Sequence, residues 1–546
     1  MRRGNPDSAF DGRPQIAIVN TASDLAPCNT HLDEIAQSVK NGIWEAGGVP
    51  LNLPMISLGE TQVRPTAMLW RNMAAMATEE MMRANPIDGA VLLGGCDKTI
   101  PALLMGASSV DLPSIVVPGG PMLTGTFRGS PLGCGTDVWR MSEEVRAGLL
   151  SKAKFLDSES AMIRSRGHCN TMGTASTMGI MAEALGMTLP GVAGIPAPDS
   201  RLLQAAHNSG RRIVEMVTSD LKPSDVMTKA SFENAILALA AIGGSTNAVV
   251  HLLAIAGRLG VNLTLDDFDR IGSRIPLLVN LQPSGKYLME DFYYAGGMTA
   301  LIKTLSDHLH LTAMTVNGLA LGENVASAQV YNPDVIRPLD RPLYAEGALA
   351  VLRGNLAPAG AVIKPSACAT HLRQHTDPAM VFDSYPEMKA AVEDDHLDIT
   401  AEHVMVLRNA GPQGGPGMPE WGQLPIPRKL LAQGVRDMVR LSDARMSGTS
   451  YGACILHVSP EAFIGGPLAL VQNGDMIELN VPERKLQLLI SDEELARRLA
   501  LWEKPAPAMN SGYWKLYIDH VLQADEGADM DFLVGQRGSA VPKDNH

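Results

Sequence analysis

The chain of 546 residues is 45% hydrophobic and sets 45 basic against 58 acidic side chains, giving a net charge of −13 and a pI near 5.5. That length supplies a large core and more than one domain. The acidic balance, with no Lys/Arg cluster, excludes a nucleic-acid or acidic-membrane surface and leaves a small molecule as the expected partner.

In chain order, Gln15-Ile16-Ala17-Ile18-Val19 predicts a strand and Leu32 to Ala46 a helix, with Cys28 in the Ser23 to His31 stretch between them. Asp88 to Leu93 predicts a buried strand that runs into Gly94-Gly95-Cys96-Asp97-Lys98-Thr99-Ile100-Pro101. A helix follows to Ser109, with proline in its first turn. Cys96 therefore falls at a strand-to-helix junction, where free amide hydrogens and the positive helix end favour a thiolate. Ser114 to Val117 reads as a further strand. Cys169 stands in the polar turn Arg166 to Gly173, ahead of a helix running to about Leu185.

Ala235 to Ala256 is apolar, but Gly243-Gly244-Ser245-Thr246-Asn247 breaks it and His251 interrupts it, so two buried helices are expected rather than a membrane span. This alternation of short apolar runs and helical stretches predicts an α/β domain with a largely parallel sheet. The Pro- and Asp-rich stretch Asn332 to Pro342 is the expected connection. Beyond it, Val404 to Leu407, Cys454 to Val458 and a hairpin of Met476 to Val481 with Leu486 to Ile490 predict a mainly β domain. The expected division is 1–345 and 346–546. The tail after Leu533 reads as polar and frayed.

Three cysteines on separate loops, with no Cys-x-x-Cys pair, suit an iron-sulfur cluster better than structural zinc. With only three ligands, one iron could stay open to substrate as a Lewis acid. The six cysteines are widely spaced and no secretory signal precedes them, which points to a reducing cytoplasm.

These three cysteine motifs are joined by Gly243 to Ala248, Lys286-Tyr287-Leu288-Met289-Glu290-Asp291, Gly414-Gly415-Pro416-Gly417-Met418-Pro419-Glu420 and Asp443-Ala444-Arg445-Met446-Ser447-Gly448-Thr449. Together they resemble the dehydratase family that contains dihydroxy-acid, phosphogluconate and sugar-acid (aldonate) dehydratases. The resemblance runs from about Pro14 to Leu533. It implies a small barrel-like domain packed over the α/β domain, with the active site between them. It implies Cys28, Cys96 and Cys169 as cluster ligands, and Mg²⁺ on Glu60, Asp97, Glu420 and a carbamylated Lys98. Ser447 matches the family's base for the C2 proton, and Thr449 a hydroxyl that contacts substrate. Arg445 adds positive charge there or serves as an ordinary salt-bridged arginine.

The run Cys169-Asn170-Thr171-Met172-Gly173-Thr174 resembles the sugar-acid branch, which implies an aldonate substrate and a [2Fe-2S] cluster, with [4Fe-4S] the alternative. Family members are homodimers or homotetramers, and the same is expected here. The rival readings are a dihydroxy-acid dehydratase of branched-chain amino-acid synthesis and a non-catalytic iron-sulfur sensor. Cys454 is expected in the core. Cys134 and Cys368 sit in small-residue loops that could line the cleft, and neither matches a cluster ligand. His168 is a neighbour of the cluster or an ordinary loop histidine, and His31, His251 and His457 are expected to be structural.

Overall fold

The structure, a computed structural model, describes residues 6–541. Strands β1 (Gln15–Asn20), β2 (Val49–Pro54), β3 (Gly89–Gly94) and β4 (Ser114–Pro118) form a parallel sheet in the order β2-β1-β3-β4. Crossover helices α1 (Leu32–Glu45), α2 (Ala67–Ala84) and α3 (Thr99–Val110) join them. β3, β4 and α3 are buried throughout, which explains their unbroken apolar runs. The winding reverses between β1 and β3. In an open α/β sheet the crevice at the carboxyl ends of such a pair is where ligands gather. Cys28 follows β1 and Cys96 follows β3.

The apolar run from Ala235 to Ala256 forms two helices, Lys229–Ile242 and Asn247–Leu259, buried almost throughout. Gly243 ends the first in the left-handed region at φ 69°, a conformation that a side chain disfavours. Among the described residues no helix is long and apolar enough to cross a membrane.

The second unit is a closed eight-stranded barrel. Its strands run Val404–Leu407, Arg440–Ser442, Cys454–Ser459, Ala357–Ile363, Ala350–Gly354, Lys485–Leu488, Met476–Asn480 and Gln374–Phe382, and the last pairs with the first. The predicted hairpin pairs Ile477 with Leu488 and Leu479 with Leu486, and those four side chains point into the barrel core. Closure removes the sheet edges.

The 332–342 stretch packs on the first domain: Val335 and Ile336 are buried and Ile336 bridges to Val279. One sequence expectation is corrected. The tail after Leu533 is tied down as far as it is described: Gly535 N–H donates to Gly257 O at 2.9 Å, Arg537 N–H donates to Ser109 O at 3.1 Å, and the Arg537 guanidinium pairs with Glu79. The buried Arg258 braces the same corner, reaching Glu79 at 2.9 Å and bonding Asp529. Residues 542–546 of that tail lie outside the described residues.

Candidate active site

The site lies where the carboxyl edge of the sheet meets the loops leaving the barrel. The loop after β1 is held to the loop after β3 by the buried Asn29, whose Oδ1 accepts from Gly95 N–H at 3.0 Å. The Cys169 turn is stitched onto the end of β4: Met122 N–H donates to His168 O at 2.8 Å and His168 N–H to Gly120 O at 3.0 Å. His168 is fully buried, and burial pushes its imidazole down to about 4, so it is neutral. His31 is also a brace, its Nε2 lying 2.6 Å from Gly119 O. The sheet therefore gathers Cys28, Cys96 and Cys169 from three separate loops.

These sulfurs fall into two pairs. Cys28 neighbours Cys96, and Cys134, on the turn after Leu132, brings its Sγ to 3.4 Å from that of Cys169. Cys134 is the neighbour that sequence reasoning set aside, because no ligand motif surrounds it. Sharing a proton with Cys96, together with lost water and the charges of Cys96, Cys169 and Asp97, pushes the Cys28 thiol well up. Sharing with Cys134 does the same to Cys169, and Cys134 is lowered in return. Neighbouring thiols and burial thus favour the protonated form at Cys28 and Cys169. The thiols crowd one another, and that outweighs any help from helix ends.

Beside them, Glu60, Asp97 and Glu420 each place a carboxylate oxygen within 4.8 Å of the others, the one such trio of His, Cys, Asp or Glu donors among the described residues. Glu60 comes from the loop between β2 and α2. Glu420 opens a short parallel pair, Glu420–Trp421 with Arg445–Met446. The fully buried Lys98 Nζ lies 3.2 Å from Glu60, 3.5 Å from Glu420 and 3.8 Å from Asp97, yet makes no hydrogen bond of good geometry. It occupies the middle of the trio much as a cation would.

Arg445 is buried rather than on the surface, and donates to Glu420 Oε2 at 2.6 Å, to Met418 O at 2.9 Å and to Thr66 Oγ1 at 3.1 Å. Asn247 Nδ2 donates to the same Glu420 oxygen at 2.8 Å. Three carboxylates face two cations. Burial, with Glu420 and Glu60 nearby, pushes Asp97 up to about 7 against the pull of Lys98. Burial also opposes the charge on Glu60, but Lys98 and Arg445 outweigh it and hold Glu60 low.

This donor set fits a hard divalent cation, since it is all oxygen, carries excess negative charge and includes a Glu60 oxygen that accepts no hydrogen bond. Among the described residues no three cysteine sulfurs lie within 4.8 Å of one another. Such spread soft donors fit a cluster better than a single ion. Behind the trio, His251 Nε2 and both ring nitrogens of the buried His457 have no hydrogen-bond partner.

Ser447 follows the short strand Arg445–Met446, and its N–H is fixed to Trp421 O at 3.0 Å. Its Oγ lies 2.9 Å from Thr449 Oγ1 and 3.3 Å from Thr449 N. Trp139 Nε1 donates to Thr449 Oγ1 at 2.9 Å. An indole N–H can only donate, so the Thr449 hydroxyl accepts from it and keeps its own proton free to donate. The turn is pinned from both sides. A Cβ on Gly448 would stand 2.5 Å from Ser245 Oγ, and one on Gly173 would stand 2.7 Å from Thr449 Cγ2. The structure thus brings Glu60, Asp97, Lys98 and Glu420 together, and Asn247 Nδ2, which donates to Glu420 Oε2 and reaches Met446 O, ties them to the Ser447 turn; Arg445, Trp139, Ser245 and Cys134 are added around these groups. Cys454 and Cys368 are both buried; Cys368 packs in the barrel core, whereas Cys454 packs with the larger core and lines the small pocket that Ser447 and Ser245 also line.

The family model for the N-terminal domain of dihydroxy-acid/6-phosphogluconate dehydratases matches residues 13–324, and that for the C-terminal domain matches 334–528. The chain belongs to this family. It is a dehydratase, an enzyme of the hydro-lyase type. Among its relatives, a protein named L-arabinonate dehydratase from Rhizobium leguminosarum bv. trifolii is 58% identical over all of this chain and 94% of its own length. L-arabonate dehydratase from Azospirillum brasilense is 56% identical over all of this chain and 95% of its own. A dihydroxy-acid dehydratase from Caldanaerobacter subterraneus is 40% identical over 94% of this chain and 93% of its own.

Proposed function

We propose that this dehydratase removes water from C2 and C3 of a sugar acid, an aldonate, to give the 2-keto-3-deoxy acid. The observation that carries the reading is the contrast among full-length relatives: 58% and 56% identity to proteins named for arabinonate and arabonate, against 40% to one named for dihydroxy-acids. The cleft supports it. Thr174, Ser245, Asn247 and Trp139 surround the Ser447 turn, and such polar groups suit a polyhydroxylated chain better than the methyl groups of a branched-chain precursor.

Glu60, Asp97, Glu420 and a carbamylated Lys98 would hold Mg²⁺, and Cys28, Cys96 and Cys169 a [2Fe-2S] cluster, with [4Fe-4S] the alternative. Bound there, the two supply Lewis acidity to the carboxylate end and to the leaving C3 hydroxyl. As an ammonium, Lys98 competes with a cation for the centre of the trio; addition of CO₂ to its amine removes that charge and adds two oxygens. Ser447 Oγ takes the C2 proton. The Thr449 hydroxyl and amide, both aimed at that oxygen, stabilise its alkoxide, and Trp139 fixes the direction in which Thr449 donates. Loss of the C3 hydroxyl leaves an enol, which tautomerises to the ketone. The same reading carries a homodimer or homotetramer, checked by light scattering of the active fraction.

An anaerobic assay with Mg²⁺ against pentonates, hexonates and dihydroxy-isovalerate tests this, with 2-keto acid followed and iron and sulfide quantified on the same sample. An aldonate is expected to turn over at least tenfold faster than dihydroxy-isovalerate. The reverse order in cluster-loaded protein overturns the substrate class.

A further inference from the structure

The contact between Cys134 and Cys169 is built, not incidental. Cys134 N–H donates to Asn170 Oδ1 at 2.8 Å, and Thr171 Oγ1 donates to Cys134 O at 3.0 Å. Asn170 Nδ2 reaches Leu132 O at 3.4 Å, so the two turns are clamped along three consecutive residues of each. Gly133 allows the approach: a Cβ there would stand 2.7 Å from Thr171 Cγ2. The two sulfurs are 3.4 Å apart and both half-buried, within reach of a small reagent. Closing that gap to the roughly 2.05 Å of a disulfide takes about 1.4 Å of approach. Nothing in the proposed reaction uses Cys134.

We propose that Cys134 and Cys169 are a redox-active pair of thiols. In cluster-free protein the two form a disulfide by exchange with a low-molecular-weight disulfide, glutathione disulfide being the probe, and Cys169 is then closed to iron until a dithiol reduces it. Cys134 first attacks glutathione disulfide and releases one glutathione thiol. Cys169 then attacks the mixed disulfide, forms the Cys134–Cys169 bond and releases the second. Two S–H bonds and one S–S bond break; the protein loses two electrons and two protons, and glutathione disulfide gains them. The effect on iron loading rests on the proposed ligand role of Cys169, whereas formation of the bond does not.

The test uses the full chain, stripped of iron without oxygen, exposed to glutathione disulfide, alkylated and mapped by mass spectrometry without reduction. A Cys134–Cys169 cross-link is expected, with Cys28 and Cys96 alkylated. Iron loading of the oxidised protein should fall at least tenfold and recover with dithiothreitol. The Cys134→Ser protein should form no cross-link to Cys169, while its loaded form keeps the wild-type visible spectrum. An alkylated Cys134 in oxidised wild type, or a Cys28–Cys96 cross-link instead, overturns the proposal. So does a changed cluster spectrum in Cys134→Ser, which makes Cys134 a ligand. A disulfide that leaves iron loading unhindered overturns the ligand role of Cys169 and leaves the disulfide standing.

Discussion

A Cβ added to Gly95 would stand 2.6 Å from the carbonyl oxygen of Cys28. The loops after β1 and β3 meet there backbone against side chain, with no flexible group to yield, so Gly95→Ala has to displace one loop. Overpacking of this kind costs about 1–3 kcal/mol. The variant is expected to melt several degrees lower and to retain less than half the iron per chain after reconstitution. Gly257→Ala, whose Cβ would meet only Val534 at 3.9 Å, serves as the control. Full iron content in Gly95→Ala would separate that contact from the sulfur site.

Asp97 gives the metal-free protein a pH signature. Burial raises its folded pKa to about 7 from an unfolded value of 3.8, so between those values the folded state binds more protons and stability falls as pH rises. Asp97→Asn removes that loss. In chelator the variant should be more stable than wild type at pH 7.5 by about 2–4 kcal/mol, the lower end reflecting a side chain still 15% exposed, with the gap closing toward pH 4. Chemical denaturation at several pH values reads the gap directly, and a gap independent of pH refutes the account.

Lys364 carries the opposite sign. Its Nζ is buried, faces no carboxylate and donates to Gly243 O at 2.6 Å, and burial alone pushes it down to about 7 from 10.5. Between those values the unfolded chain binds the extra proton, so this group makes stability rise with pH. Lys364→Met is expected to be more stable than wild type at pH 7, with the difference shrinking by about 3 kcal/mol by pH 9.5. Paired denaturation curves at both pH values check it; a constant difference refutes it.

Trp139→Phe tests the direction of the Thr449 hydroxyl. The change removes one donor to Thr449 Oγ1 and keeps the ring against the loop at Gly422. Losing one such bond costs about 1–1.5 kcal/mol, or roughly a tenfold fall in kcat with KM little changed. A rise in KM alone would move Trp139 to substrate binding.

The sequence by itself determined the local pieces. Continuous apolar runs placed β1, β3 and β4, and the placement of Cys28 and Cys96 after strands put them at the carboxyl edge before any topology was known. Alternation revealed the Met476–Asn480 hairpin, and the break at Gly243 to Asn247 separated two buried helices. Motif resemblance singled out Glu60, Lys98, Glu420 and Ser447. The tertiary structure alone decided what stands beside what. The sequence leaves Arg445 open between a charge at the site and an ordinary salt-bridged arginine until Glu420, Met418 and Thr66 enclose it, and the polar tail reads as frayed until Gly257, Ser109 and Glu79 accept its bonds. Cys134 has no motif, and its approach to Cys169 exists because Asn170 and Thr171 clamp a turn from elsewhere in the chain. Periodicity and propensity act over neighbouring residues, whereas charge pairing, proton sharing and thiol contact depend on distances that only the packing of remote segments sets.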